Sequence, residues 1–184
     1  MEKLITMIKD NSIDRFKSHM KYNDVSIEIP NDKNLNKVRS FRTVIILVSG
    51  DDLKLIFKVH FTSEIANYFY QNAMQKTPAA VEKSIDFMKE YTNVVAGRIK
   101  KFFTDQNVNV GISLPILTRG FDEIFFELPK INDAIVENWI IKAEKYHLCC
   151  TGIIELLNPN VVSRLKYSVP EQTDNGDEGE VNFL

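Results

Sequence analysis

Along this chain, hydrophobic residues recur either at the spacing of an α-helix or at every second position, as in a β-strand. Each change from one spacing to the other predicts a new secondary-structure element. Apolar residues at helical spacing over 4–20 predict an amphipathic opening helix, interrupted near Asn11 and Ser12. Residues 25–29 alternate like a half-buried strand, which predicts the first strand of a sheet. The polar stretch 31–37 that follows is predicted to be a loop.

The clearest short-range signal is a β-hairpin. Apolar residues fill 43–48, and over 53–61 they occupy every second position, so that they share one face of a strand. Ser63 then has the side chain of a helix N-cap, and Thr77-Pro78 is a second helix start with proline at the first helical position. The sequence therefore predicts a hairpin followed by two helices.

The second of these helices carries the longest periodic pattern. Its apolar residues recur at alternating spacings of three and four, which predicts one buried stripe on a helix of about 26 residues that closes near 105–109. The stripe consists of Val81, Ile85, Met88, Thr92, Val95, Ile99 and Phe102. Such a helix sets one face against a core and leaves the opposite face to solvent.

The remainder of the chain is predicted to be mostly β structure. Residues 111–120 are interpreted as a loop and a short strand, which Pro115 confines to a sheet edge or a bulge. Strands are predicted over 121–128, 134–145 and 147–157. The fold class is accordingly α/β, of the α+β type, with a mainly antiparallel sheet packed against long helices.

Length and composition limit the number of domains. The 184 residues include 44% hydrophobic residues and 12 Phe, enough for one substantial core. We therefore predict a single domain over 1–167. Residues 168–184 are acidic and contain too few apolar side chains to fold alone. They are predicted to form a flexible tail that is either solvated or alters partner docking through charge repulsion, with local docking of residues 181–184 as an alternative.

Charge and hydropathy argue against two classes of partner. The formal net charge is -2 and the pI is about 6.0, so the chain lacks the basic field that attracts nucleic acids or anionic membranes. The longest apolar runs are too short to cross a bilayer, and the first residues lack the apolar core of a signal peptide. The protein is therefore expected to be cytoplasmic.

Cysteine and histidine positions do not suggest a metal site. Cys149 and Cys150 are adjacent, so in a strand they point to opposite faces and are predicted to be reduced structural thiols. His19, His60 and His147 are scattered, and none lies at a convincing metal-ligand spacing. We predict no metal site and no cofactor of the protein's own, and packing roles for the two strand histidines.

Candidate chemistry lies on the exposed side of the long helix. On a helical wheel centred on Met88 at about 100° per residue, Glu90 and Asn93 fall on the opposite face, with Asp86 and Gly97 beside them. The carboxamide of Asn93 cannot take up a proton at ordinary pH, so any catalytic role for it must be orientation. Such a ridge suits insertion into the cleft of another protein.

The residues around this ridge resemble a known motif. Glu90-Tyr-Thr-Asn93 is followed by Val94-Val-Ala-Gly97 and, about fourteen residues later, by Gly111-Ile-Ser-Leu-Pro115. The order and spacing resemble the helix motif and following segment of the CheX, CheC and FliY phosphatases. The spacing fits CheX best, and the chain has one copy of the motif, as CheX-type chains do, where CheC has two. Thr92 stands where relatives often have Gly or Ala.

The resemblance implies a fold, an activity and roles for individual residues. It implies a CheX-like domain that dephosphorylates an aspartyl-phosphorylated, CheY-like response-regulator receiver. Asn93 would orient the attacking water and Glu90 would pair with a lysine of the receiver, while Asp86 and Gly97 would contact the partner. The receiver would supply Mg²⁺, and the protein would form a homodimer. This chemistry is sensible, since phosphoryl transfer relies on positioning and charge stabilisation.

The same residues allow other interpretations. Glu90 and Asn93 can be an ordinary solvated helix face. Gly97 can serve close helix packing, a dimer contact or partner access, since glycine inside a helix costs about 1 kcal/mol and usually has a reason. The alternative function is a non-catalytic module that binds a receiver or another signalling protein through the same fold.

Overall fold

Four helices and seven strands make up the described part of the chain. The computed structural model describes residues 2–30, 42–75, 80–119 and 134–167. The elements are α1 (Glu2–Met20), β1 (Val25–Glu28), β2 (Arg42–Ser49), β3 (Leu53–Phe61), α2 (Ser63–Met74), α3 (Val81–Asp105), β4 (Gly111–Ile112), β5 (Ile116–Arg119), β6 (Ile135–Ala143), β7 (Tyr146–Leu156) and α4 (Val161–Arg164).

These strands form one antiparallel sheet. Its described strands follow the order β1-β6-β7-β3-β2, and both β4 and β5 pair with the other side of β2. Helices α1, α2 and α3 pack against one another, and the main core lies between them and one face of the sheet. This arrangement confirms the predicted class of an α+β fold with an antiparallel sheet.

The central hairpin of β2 and β3 confirms the period-2 prediction. Val44 and Ile46 of β2 lie opposite Val59 and Phe57 of β3. All four side chains are fully buried, because alternate residues of both strands face the helices. The pattern of apolar residues therefore fixes both the register and the buried face of the hairpin.

Gly50, in the turn of this hairpin, is required by a close backbone approach. A Cβ atom at this position would collide with the carbonyl oxygen of Asn109. The segment that approaches so closely follows α3 and buries Val108 and Val110 in the core. The glycine thus lets the end of α3 pack tightly onto the hairpin.

The opening helix is continuous, and the predicted interruption near Asn11 and Ser12 is wrong. Asn11 Nδ2 donates to the carbonyl of Met7 at 2.8 Å, so this side chain bonds back along the helix. Ser12 Oγ donates to the carbonyl of Lys9 at 2.7 Å and accepts from Trp139 Nε1 at 3.0 Å. Burial and a tertiary hydrogen bond at Ser12 override the weak helix propensity of the Asn-Ser pair.

The start of α2 differs by one residue from the predicted N-cap. Thr62 is the N-cap, and its Oγ1 accepts a hydrogen bond from the backbone N–H of Ile65 at 3.1 Å. Ser63 Oγ instead accepts from Arg42 Nε at 2.8 Å, which ties the helix start to β2. The predicted second helix start at 77–78 lies outside the described residues.

The long helix α3 contains 25 residues and ends within the predicted range. Most of the predicted stripe is buried, but Val81 at its start is 46% exposed and Phe102 is half-buried. The buried face is wider than a single stripe. It also includes Ser84, Phe87, Tyr91, Ala96 and Phe103. Contacts with α1, α2 and the sheet cover this broad face, because α3 lies between them.

Pro115 separates β4 from β5 beside β2, in agreement with the edge-or-bulge prediction. The backbone N–H of Ser113 donates to the carbonyl of Leu47 at 2.9 Å, and its Oγ accepts from Leu47 N at 3.0 Å. The serine therefore keeps both polar backbone groups of Leu47 paired where proline, which has no N–H, interrupts the strand.

The last two strands agree closely with the prediction, as do the two cysteines. Cys149 and Cys150 are free and buried, and they point to opposite faces of β7. Cys150 belongs to the main core, whereas Cys149 packs with Ile140 on the other face. The predicted strand at 121–128 and the predicted tail at 168–184 lie outside the described residues.

Candidate functional site

The four residues singled out on the long helix share one surface, which we call the α3 ridge: Asp86, Glu90, Asn93 and Gly97. Asp86, Asn93 and Gly97 are exposed, and Glu90 is half-buried. Glu90 and Asn93 lie almost one turn apart, about 4.5 Å along the helix axis. The structure therefore places a carboxylate, a carboxamide and a bare stretch of backbone on the same side of α3.

The opposite face of α3 fixes the position of the ridge. The hydroxyl of Tyr91, fully buried, donates to the carbonyl of Ser12 in α1 at 2.9 Å. Since Ser12 is also hydrogen-bonded to Trp139, this contact joins α3 to both α1 and the sheet. Thr92 is fully buried as well, and its Oγ1 donates to the carbonyl of Met88 at 2.8 Å. The extra bulk of this threonine is therefore accommodated inside the helix packing.

Glu90 and Asn93 are available to an external partner. In the part of the chain that the structure describes, neither side chain forms a hydrogen bond or an ion pair with another residue. An asparagine amide offers both a donor and an acceptor, and an ionised glutamate offers two acceptor oxygens. Together they can bind a cationic group and orient a small polar molecule such as water.

Asp86 is on the ridge but is already paired. Lys89 Nζ lies 3.0 Å from Asp86 Oδ1, an ion pair between residues i and i+3 of the helix. Such an exposed pair contributes little to stability, yet it partly compensates the charge of the aspartate. Of the two ridge carboxylates, Glu90 is therefore the one with an uncompensated charge.

Gly97 has no packing role within the described chain. A Cβ atom at this position would meet nothing within 4 Å. Close packing against another helix of the same chain, one of the interpretations of this glycine, is thus not supported. A glycine inside a helix costs about 1 kcal/mol relative to alanine, and packing against the described residues does not explain why it is present here.

Helix α1 borders the ridge with His19, which sequence reasoning considered only as a metal ligand. The imidazole stacks on Phe87 with ring centroids 4.3 Å apart, and its Nε2 donates to the Phe87 carbonyl at 3.2 Å. Burial lowers the pKa of His19 below its ordinary value, although the Phe87 hydrogen bond and the charge of Glu90 act in the opposite direction. A neutral imidazole leaves the Glu90 carboxylate uncompensated at neutral pH.

His60 has the structural role predicted for it. It is 1% exposed, and its ring bridges two strands, with Nδ1 3.0 Å from Thr43 Oγ1 and Nε2 3.0 Å from Thr151 Oγ1. Among the described residues there is no group of three or more His, Cys, Asp or Glu side chains that could hold a metal ion. Within the same residues no helix is both long enough and apolar enough to cross a membrane.

Several solved structures have the same fold as this chain. The chemotaxis protein CheX from Vibrio vulnificus superimposes with a TM-score of 0.64 at 14% identity, covering 83% of this chain and 99% of its own. A chemotactic CheC-like protein from Shewanella oneidensis gives 0.63 at 14% identity, covering 84% and 100%. A chain of the CheX-CheY-BeF3-Mg²⁺ complex from Borrelia burgdorferi gives 0.60 at 11% identity, covering 81% and 95%. At these identities the similarity establishes the fold.

Sequence comparison identifies the family directly. No curated protein sequence matches the chain. The family model described as "Chemotaxis phosphatase CheX" matches residues 42–135, which include β2, β3, α2, the whole of α3 and the Gly111–Ile112 strand. This match covers just over half of the 184 residues. The chain therefore belongs to the CheX family of chemotaxis phosphatases.

Proposed function

We propose that this protein dephosphorylates a CheY-like response-regulator receiver that is phosphorylated on an aspartate. Asn93 orients the attacking water, and Glu90 anchors a lysine of the receiver. The α3 ridge is the observation that carries the proposal: two polar side chains without partners in the described chain stand almost one turn apart, beside the open backbone at Gly97.

The chemistry of phosphoryl transfer suits this arrangement. Hydrolysis of an acyl phosphate depends on placing a water in line with the phosphorus and on neutralising charge, so a side chain need not act as a base. The amide of Asn93 can accept from the water and donate to a neighbouring oxygen. The receiver would hold the Mg²⁺, which would supply charge neutralisation at the phosphoryl oxygens, and Glu90 and Asn93 would complete that site.

The partner is proposed from charge and from similarity. The charge of Glu90 is not compensated by His19, so a cationic group of the partner can pair with it. The structural similarity to a chain of the CheX-CheY-BeF3-Mg²⁺ complex of B. burgdorferi supports a receiver as the partner. The homodimer and the cytoplasmic location stay predictions, and light scattering at two protein concentrations tests the first of them.

The test is the decay of phosphate on purified receivers in magnesium buffer, with and without this protein. We expect the wild type to accelerate the decay, and Asn93→Ala to lose about a hundredfold of the stimulated rate, as when one preorganised polar group is removed. Asn23→Ala serves as the matched control, because Asn23 is an exposed asparagine between α1 and β1.

Two outcomes would contradict the proposal. Unchanged decay of every receiver would leave the family fold without this activity and favour the non-catalytic binding module. Full acceleration by Asn93→Ala would mean that the catalytic group lies elsewhere on the protein. In the first case, weaker receiver binding by Glu90→Gln shows whether the α3 ridge is still the docking surface.

A further inference from the structure

Two arginine side chains lie on the side of the α3 ridge that faces α1. Arg98 follows Gly97 directly and is exposed, whereas Arg15 of α1 is half-buried. Arg15 is one turn from both Asn11 and His19, so these three residues share one face of α1. Asn11 lines a surface cavity together with Arg98, and His19 packs against α3 farther along the ridge. Arg15 therefore lies beside α3 near Arg98. We call these two residues the arginine pair.

Neither guanidinium group of the arginine pair has a partner within the described chain. The Nε of Arg15 is buried and forms no hydrogen bond. No other N–H of Arg15 or Arg98 bonds to a described residue, and neither side chain forms an ion pair there. Because a guanidinium group has only donors and a buried donor without an acceptor is unfavourable, the pair is left with an unmet need for acceptor oxygens.

The members of the arginine pair also repel each other. Burial lowers the pKa of Arg15 most, the charge of Arg98 lowers it further, and the charge of Asp14 acts in the opposite direction. Since a guanidinium group stays protonated in proteins, this repulsion persists in the folded chain. An anion that contacts both groups would remove the repulsion and supply the acceptor oxygens.

The carboxylates nearest to the arginine pair do not meet this need. Asp14 influences Arg15 through its charge but forms no ion pair with a described residue. Asp105 pairs with Lys101 at 3.2 Å, and Asp10 accepts a hydrogen bond from the hydroxyl of Tyr167 at 2.7 Å. None of these three carboxylates bonds to either arginine, so an acceptor has to come from another molecule.

The arginine pair lies beside the α3 ridge rather than on it. Arg98 is five residues after Asn93, which places it about 7.5 Å farther along the axis of α3 and about 140° around it. A receiver whose phosphoryl group meets Asn93 would therefore meet the arginine pair at the rim of its cleft. The anion expected at the rim is a carboxylate side chain, because guanidinium groups match the two oxygens of a carboxylate.

We propose that Arg15 and Arg98 form an anion site that binds a carboxylate at the rim of the receiver's cleft. The inference rests on the function proposed above, and it gives the arginine pair a role in docking rather than in the chemical step. Glu90 lies about 12 Å from Arg98 along the helix axis and pairs with a cation of the receiver. Two contacts of opposite charge at separate points admit one orientation of the receiver along α3.

The first test needs no receiver. The full-length protein is titrated with sodium phosphate, whose oxygens accept hydrogen bonds from guanidinium groups as a carboxylate does, and the arginine Nε–Hε signals are followed by NMR. The signals of Arg15 and Arg98 should shift together and saturate, and in Arg98→Gln the shift at Arg15 should be largely lost. The signal of Arg164, which already pairs with Asp52 at 3.2 Å, is the internal control and should stay in place. Sodium chloride at the same ionic strength controls for screening.

The second test uses a receiver that the protein dephosphorylates. Arg98→Gln should raise the receiver concentration that gives half-maximal acceleration about tenfold, because a charge-assisted hydrogen bond to the receiver is lost. The maximal rate should fall much less, whereas Asn93→Ala should lower mainly the maximal rate. Lys145→Gln removes the same charge from the turn between β6 and β7 and is the matched control. It should change neither quantity.

The outcomes distinguish the anion site from the proposed function. Phosphate that causes no saturable shift at Arg15, or an equal shift in Arg98→Gln, would overturn the anion site. An unchanged half-maximal concentration in Arg98→Gln would overturn the contact with the receiver, even where phosphate binds. A protein that binds phosphate at the pair but accelerates the decay of no receiver would keep the anion site and lose the receiver as its ligand, together with the proposed function.

Discussion

The two faces of α3 differ in the way that their polar groups are satisfied. On the buried face Met88, Tyr91 and Thr92 are fully buried, and both hydroxyls donate to backbone carbonyls. On the α3 ridge, Glu90 and Asn93 have no such partners among the described residues, and the space above Gly97 is open. The polar side chains of the buried face are therefore hydrogen-bonded within the chain, whereas Glu90 and Asn93 on the ridge are not bonded to any described residue.

This difference separates residues that serve the fold from residues that serve a partner. A helix optimised for stability alone would carry alanine in place of an exposed, unpacked glycine, because the exchange gains up to about 1 kcal/mol. Gly97 on the ridge departs from this expectation. Substitutions on the two faces should therefore change different measured quantities.

The largest effect is expected on the buried face. Met88→Ala removes a fully buried side chain and leaves a cavity, so the free energy of unfolding should fall by about 2–5 kcal/mol. Asn93→Ala, on the exposed face, should change it by no more than about 0.5 kcal/mol. Urea unfolding of both variants measures the contrast. A comparable loss in Asn93→Ala would show that the asparagine is structural and would remove the distinction between the faces.

A smaller effect should follow from removing one hydroxyl beneath the ridge. Tyr91→Phe deletes the hydrogen bond to the Ser12 carbonyl, and the free energy of unfolding should decrease by about 0.5–1.5 kcal/mol. Tyr70→Phe is the matched control, because the hydroxyl of Tyr70 forms no hydrogen bond with a described residue. Equal stabilities of the two variants would show that the link between α1 and α3 does not depend on this bond.

Gly97→Ala should act in the opposite direction on stability. With nothing within 4 Å of the added Cβ, the variant should gain about 0.5–1 kcal/mol in free energy of unfolding and bind its receiver more weakly. Gly50→Ala is the contrasting variant, since its Cβ would collide with the Asn109 carbonyl and destabilise the fold. Destabilisation by Gly97→Ala would instead reveal a contact with another copy of the chain.

The sequence was sufficient to predict an element and its buried face where the pattern of apolar residues is local and periodic. The alternation over 53–61 predicted β3, and the stripe along 81–102 predicted α3 with its exposed ridge, because burial of one face imposes these periods. The cap of α2 was misplaced by one residue, since Thr62 and Ser63 have equivalent side chains for the purpose. The pairing of Asp86 with Lys89 was not predicted, although the i, i+3 spacing of the two residues is a signal that could have revealed it.

The sequence was insufficient where residues distant along the chain meet. The interruption of α1 was wrong because the partners of Ser12 lie in β6 and α3, far along the chain. For the same reason no local pattern connects His19 with Glu90, or Arg15 with Arg98. The helical wheel placed the ridge residues on one side of α3, as the structure does. The charges around the ridge depend on residues of α1, so they could be identified only from the three-dimensional structure.

The smallest effect concerns pH and the histidine that borders the ridge. Burial lowers the folded-state pKa of His19 below the 6.5 of the unfolded chain. As the pH falls below 6.5, the unfolded chain takes up a proton that the folded chain does not bind until a lower pH. The stabilisation from neutral His19 is therefore complete above this value and is lost as the pH falls toward the folded-state pKa.

The comparison of wild type with His19→Gln measures this loss. The stability difference between the two proteins should shrink as the pH falls from about 7.5 to 5, because only the wild type contains the group that resists protonation. If the free energies of unfolding of the two proteins change equally with pH, the lowered pKa of His19 is contradicted. Receiver binding should weaken over the same range in the wild type alone, since a protonated His19 compensates the Glu90 carboxylate that anchors the receiver lysine.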